Sequence, residues 1–371
     1  MGFALLLSPL TAFAAEPDAA LTAAAERILA EHDVPALGVV VVRADGATRA
    51  GVAGVRERGG DDAVTPDDRW HLGSCTKAMT ATLIARLVEA GTLRWDLTVA
   101  QALPREADRF LPAYRDATLR QLLTHRAGVT GGTGPAAAWA AAFAERGTPA
   151  KQRQRFLRAV LGETEPGSAD AYEYSNVGYA LAGHIAETVA RVPYEKLMQR
   201  EVFAPLGMEN AGFGPPAAKR RDQPVGHAAD GTPMPRDADN PPAIAPAGRA
   251  HATLADWARF VRAHLGPVQT ADGEPFLSAA TLAELHRPEP GPGQAYAAGW
   301  ITTERGWAGA GGRGAVLTHA GSNTMWYAVA WLAPERGFAV LAACNQGGDA
   351  GSAACDAAAA AGVGWAGEPD R

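Results

Sequence analysis

Strand-like sequence in this chain collects at its two ends. PALGVVVVRADGATRAGVAGV, residues 35–55, reads as two strands around an Asp45-Gly46 hairpin turn. Close to the other terminus, AVLTHAGSNTMWYAVAWLAPERGFAVLAACNQ carries three more runs, at 315–319, 325–333 and 338–344. Strands so far apart in sequence share a core only if the chain comes back to its start. The arrangement predicts one antiparallel sheet built from both termini, flanked by the terminal helices LTAAAERILAEHDV and the Ala-rich stretch after Gly351. The middle is mostly helical, with its clearest elements in TLRQLLTH, TPAKQRQRFLRAVLG, NVGYALAGHIAETVARV and YEKLMQREVFAPLG. The expected organisation is a mixed α/β (α+β) fold. Residues 16–95 and 250–371 form an α/β lobe, 96–249 a mostly helical lobe, and the active site lies between them. Residues 212–248, rich in Pro, Gly and Asp, are expected to wrap the surface.

Composition narrows the function. A chain of 371 residues with 47% hydrophobic and 20% charged residues has ample material for a core. Its net charge of -6 leaves no broad basic face, which argues against a nucleic-acid partner. Residues 1–15 hold a short apolar run ending in small residues, read as a truncated export signal or as an ordinary N-terminus. The export reading implies a periplasmic or secreted protein, the other a cytoplasmic one. No later segment has the apolar length of an integral membrane span. The 3 cysteines give no metal-ligand cluster, though Cys344 and Cys355 could be bridged in an oxidising compartment.

Within HLGSCTKAMT, residues 71–80, Ser74 and Lys77 stand three apart where glycine gives way to helix formers. With 7 serines and 4 lysines in the chain, chance supplies only about 0.08 such pairs. At positions i and i+3 the two side chains project to one side of a helix. A serine hydroxyl becomes a nucleophile when a neighbour accepts its proton, and lysine can do so. The helix N-terminus favours a developing oxyanion and disfavours protonated lysine, by roughly 0.3–1 kcal/mol. Ser74 as a simple helix cap and Lys77 as a solvated lysine is the competing reading.

Two further stretches decide between these readings: Tyr174-Ser175-Asn176 in AYEYSNVGYALAGHI, and His319-Ala320-Gly321 in VLTHAGSNTMWYA. With Ser-x-x-Lys they follow the ordered three-motif pattern of penicillin-recognising serine hydrolases. The chain resembles the serine beta-lactamase-related family, which includes class C beta-lactamases, D-alanyl-D-alanine carboxypeptidases and carboxylesterases. TLRQLLTHRAGV, PLGM, ATLADWARF and YAAGW extend the resemblance over about residues 20–350. It implies the beta-lactamase/transpeptidase-like fold, with Ser74 as the acylated nucleophile, Lys77 as its proton acceptor and Tyr174 as a proton relay or acceptor. Asn176 would hold Lys77 and donate to substrate, or cap the helix that follows. His319, Ala320, Gly321 and Ser322 would line the substrate cleft, with the Ser74 and Ser322 amides as the oxyanion hole. Gly321 would let substrate approach the backbone.

The pattern departs from its relatives at one place. Class C beta-lactamases usually carry Lys-Thr-Gly on this strand and some carboxypeptidases His-Thr-Gly, so Ala320 lacks the hydroxyl that would help to bind a substrate carboxylate. The expected activity is therefore acyl-enzyme hydrolysis of a small ester, amide or peptide, esterase-like or peptidase-like, needing no metal or organic cofactor. D-Alanyl-D-alanine carboxypeptidase, class C-like beta-lactamase and a non-catalytic penicillin-binding-like protein are the alternatives. Oligomeric state is not legible.

Overall fold

A computed structural model gives the fold, and it describes residues 15–129, 132–270 and 272–367. Strands β1 (Glu16–Pro17), β2 (Ala36–Arg43) and β3 (Thr48–Gly54) come from the N-terminal part. A small three-stranded sheet follows, made by β4 (Arg69–His71), β5 (Gly212–Phe213) and β6 (Ala250–Thr253). The C-terminal part adds β7 (Tyr296–Ala297), β8 (Trp300–Gly309), β9 (Gly312–Ser322), β10 (Tyr327–Ala333) and β11 (Phe338–Cys344). The main sheet is eight-stranded in the order β1-β3-β2-β11-β10-β9-β8-β7. Its first and last long strands are neighbours, Val40 pairing with Leu341. All pairs are antiparallel apart from the two-residue contact of β1 with β3. The continuous Val39–Val42 run of β2 is buried on both faces because helices cover both.

On one face lie α1 (Ala19–His32) and the helix Gly348–Gly367. Asp18 starts α1 by accepting from the Ala20 and Leu21 amides, both at 2.9 Å. Small residues bring these helices close to the sheet: a Cβ on Gly51 would lie 2.3 Å from the Leu21 carbonyl carbon, and one on Gly362 2.4 Å from Val340 Cγ1. On the other face runs α2 (Thr76–Glu89), in which every residue from Thr76 to Ala85 is buried. A helix enclosed all round has structure on every side of it. Its neighbours are the sheet and the helices of the middle segment, notably Asn176–Ala190 and the short helix Ala245–Gly248.

Three features differ from the sequence reading. β8, WITTERGWAG, interrupts its few apolar residues with polar ones and glycine, and its hairpin with β9 rather than an apolar run makes it a strand. The stretch 212–248 does not stay on the surface, since Val225, His227, Ala243, Ile244 and Ala247 are buried and the Asp239 side chain is 1% exposed. Polar composition misled because the buried polar atoms there find protein partners instead of water. Cys75, Cys344 and Cys355 are all buried free thiols, so the bridge considered for Cys344 and Cys355 is not formed. The expected export segment lies outside the described residues except for Ala15. Among the described residues no helix is long and apolar enough to cross a membrane.

Candidate active site

Ser74 sits in a short 3₁₀ turn, Gly73–Cys75, that runs directly into α2. At three residues per turn, positions i and i+3 eclipse each other, which brings Lys77 Nζ to 3.0 Å from Ser74 Oγ. Gly73 makes the turn possible with φ +48, a left-handed value. The capping alternative fails: the cap position of α2 is Cys75, with no side-chain cap bond. Thr76 performs the local fastening instead, its Oγ1 donating to Gly73 O at 2.6 Å and accepting from the Ala250 amide at 3.0 Å.

Lys77 is fully buried. Besides Ser74 Oγ, its Nζ meets Asn176 Oδ1 at 2.7 Å and Ala247 O at 2.8 Å. No carboxylate is among these partners, and burial pushes the Lys77 pKa well below the usual lysine value. Tyr174 donates its hydroxyl to Ser74 Oγ at 2.8 Å, with Lys77 Nζ 4.7 Å from its ring centre. Burial raises the Tyr174 pKa, outweighing the opposite effect of its bond to Ser74, so the phenol holds its proton. The helix Asn176–Ala190 is capped by Ser175, whose Oγ accepts from the Gly178 amide at 3.0 Å. Asn176 is thereby released from capping, and its Oδ1 faces Lys77.

β9 supplies the opposite wall. His319 is 3% exposed. Its Nδ1 lies 2.5 Å from Ala320 O, a pure acceptor, so Nδ1 carries the proton and Nε2 accepts from the Tyr296 hydroxyl at 2.9 Å. Burial, aided by nearby Lys77, lowers its pKa to about 3. His319 is therefore neutral and offers no charge to a carboxylate. Gly321 meets a packing need beside the one expected: a Cβ there would lie 2.1 Å from Leu72 O and 2.6 Å from Ser74 N. The constraint is packing of the strand against the Ser74 turn. Reciprocally, a Cβ on Gly73 would lie 2.3 Å from Ser322 N, so the Ser74 and Ser322 amides flank one junction. The ladder between β8 and β9 ends at Ile301 and Thr318, which leaves residues 319–322 paired within the sheet only to β10. Ala320 is the residue not brought to Ser74. Strand alternation turns it away from His319 and Gly321, and its methyl packs with Val329 on the face covered by α1.

Sequence reasoning did not assign three contributors. His125, with φ +60, accepts from the Glu173 amide through its carbonyl at 2.8 Å and from the Ser175 amide through Nδ1 at 3.1 Å. It thus clamps the chain on both sides of Tyr174, with its ring centre 4.5 Å from the tyrosine ring. Tyr296 supports His319. Both lie in stretches that carried the resemblance, TLRQLLTHRAGV and YAAGW, which was the available signal. Ala247 contributes only a carbonyl, for which residue type gives no signal.

Comparisons with known proteins bear on the family and the fold. Penicillin-binding protein 4 of Amycolatopsis lactamdurans is 32% identical over 265 residues, covering 69% of this chain and 66% of the relative. An unguisins hydrolase of Aspergillus campestris is 26% identical over 260 residues, covering 64% of this chain and 46% of the relative. The chain thus matches about two thirds of the first relative and under half of the second. Among solved structures, a class C beta lactamase from Rhodobacter sphaeroides superposes with TM-score 0.75 at 21% identity, covering 93% of this chain and 98% of that one. A beta-lactamase/D-alanine carboxypeptidase from Pseudomonas syringae gives TM-score 0.75 at 17% identity, with 94% and 99% covered. These two structures establish the shared fold. The sequence profile of the Beta-lactamase family, a family of serine hydrolases, matches residues 21–364, and the chain belongs to that family.

Proposed function

We propose that this protein is a serine hydrolase that forms an acyl-enzyme at Ser74 and acts on a small ester or amide, as an esterase or small peptidase. The observation that carries this reading is the set of partners around Lys77 Nζ. A neutral lysine amine has two N–H groups and one lone pair. Asn176 Oδ1 and Ala247 O can take the two hydrogens, which aims the lone pair at the Ser74 hydroxyl 3.0 Å away. The lowered Lys77 pKa supports the neutral form, and the raised Tyr174 pKa argues against tyrosinate as the base.

In this mechanism Ser74 Oγ bonds to the substrate carbonyl carbon as its proton passes to Lys77 Nζ. The carbonyl oxygen becomes an oxyanion between the Ser74 and Ser322 amides, where one lost donor costs about 10²–10³-fold in rate. As the carbon–oxygen or carbon–nitrogen bond breaks, the leaving group takes the Tyr174 hydroxyl proton, and the proton held on Lys77 Nζ passes to the phenolate, which returns both groups to their starting forms. Water then attacks the acyl group and regenerates Ser74. The neutral His319 favours acyl donors that need no carboxylate recognition, which ranks D-alanyl-D-alanine carboxypeptidase and beta-lactamase action behind ester cleavage.

The test is intact-protein mass spectrometry with a p-nitrophenyl ester and with a fluorophosphonate. One adduct on Ser74 is expected, and a folded Ser74→Ala variant should take up none. An adduct on another serine in that variant would overturn the assignment.

A further inference from the structure

The buried carboxylate of Asp239 is not part of the proton-transfer set, yet it meets three segments that border the site. His71 Nε2 lies 2.9 Å from its Oδ1, and both side chains are at most 1% exposed. The Gly73 amide donates to His71 Nδ1 at 3.2 Å, which leaves Nε2 as the ring nitrogen beside the carboxylate. Asn323, next to Ser322, donates its Nδ2 to Asp239 Oδ1 at 2.9 Å. Arg249 donates its Nε to Oδ2 at 3.0 Å, two residues beyond the Ala247 carbonyl that meets Lys77. Asn240 adds a second hold on that strap, donating its Nδ2 to Gly248 O at 3.0 Å.

We infer that Asp239, acting through His71 and Asn323, is a positioning residue that fixes the separation of the Ser74 and Ser322 amides as an oxyanion hole. The inference rests on the acyl-enzyme reading above. A carboxylate suits the role because each oxygen accepts more than one hydrogen bond, so one group can receive Asn323 and Arg249 while the His71 ring nitrogen lies against it. Burial alone would push its pKa up, but His71, Arg249 and Asn323 outweigh it and hold it at about 2. The carboxylate is thus ionised throughout the working pH range. An amide in its place has one acceptor oxygen and turns an NH₂ group toward donors. The two amides would then lose their common reference, while the substrate pocket and the Ser74–Lys77 pair keep their own contacts.

The experiment compares wild-type protein with Asp239→Asn and Asn323→Ala, each checked for folding by circular dichroism and thermal melting. Phenylboronic acid is the probe, because its adduct on Ser74 is tetrahedral and places an oxygen in the oxyanion position. For Asp239→Asn the expected result is a boronate Ki at least about tenfold higher and a kcat lowered to match, with KM for a neutral ester within about threefold. Asn323→Ala removes one tether only, so a smaller change of the same pattern is expected, and it carries the test if Asp239→Asn does not fold. Folded variants with unchanged boronate Ki and kcat would overturn the inference. So would a KM that rises in parallel with Ki, which marks general loosening of the site. Absence of any Ser74 adduct on the wild-type protein would overturn the acyl-enzyme reading and this inference together, an outcome distinct from both.

Discussion

On the face of the main sheet covered by α1 and the helix Gly348–Gly367, every buried residue of those helices is Leu, Ile, Ala, Gly or Cys. The face turned to α2 is different, for around it lie buried Lys77, His71, His125 and His319. Burying such groups costs free energy unless each finds partners. Here the partners come from distant parts of the stretch 175–296: Asn176, Ala247, Asp239, Ser175 and Tyr296. The comparison teaches that one sheet separates two tasks. Its apolar face supplies close packing at little polar cost, and its polar face holds reactive groups in states that water would not allow.

The largest effect should come from the polar face. Ser74→Ala is expected to lower ester hydrolysis by about 10⁴-fold or more while the melting temperature stays close to that of the wild type. A large fall in stability would break the proposed separation of tasks. Lys77→Met should lower kcat/KM by roughly 10³-fold, and it sharpens the comparison through pH. Protonated Lys77 has no lone pair, so wild-type activity should fall as pH drops through its pKa. Burial places that fall well below the ordinary lysine range. His319, held at about 3, is not its source. The fall should vanish in Lys77→Met, and its survival in a pH–rate profile would assign it to another group.

On the apolar face the ordering of effects should reverse. Gly51→Ala places a methyl against the backbone of α1, which must shift. A loss of about 1–3 kcal/mol in denaturant unfolding is expected, with kcat within about twofold. A matching loss of kcat would show that the two faces are coupled. The smallest effect belongs to Ala320→Thr. Because the methyl packs with Val329, the added hydroxyl should change the ratio of kcat/KM for anionic and neutral substrates by less than about threefold. A tenfold rise for the anionic substrate would return residue 320 to carboxylate recognition.

Legibility in the sequence followed the same division. Ser74 with Lys77 was readable because the spacing itself carries the chemistry. β2, β10 and β11 were readable because continuous apolar runs have few alternatives. Asn176 was harder: a polar residue at a helix start reads as a cap, and only the fold shows Ser175 taking that work. Strand β8 exists by its register with β9, a relation that its own residues do not encode. Asp239 lay in a stretch whose prolines and glycines suggested surface, and nothing local marks it as a meeting point for His71, Asn323 and Arg249. Ala320 was assigned by motif order, which does not say which face of the strand a side chain takes.

The three thiols have a practical consequence of their own. Cys75 lies in the core on the α2 side, while Cys344 and Cys355 lie in the core beneath α1 and the C-terminal helix. Burial raises all three pKa values, Cys75 and Cys344 to about 12, so each stays a protonated and shielded thiol in the closed protein. An alkylating reagent can reach one only when its surroundings open. The protein therefore carries built-in chemical clocks, one in one core and two in the other. The order in which peptides containing Cys75, Cys344 and Cys355 gain mass would show which half of the molecule breathes first.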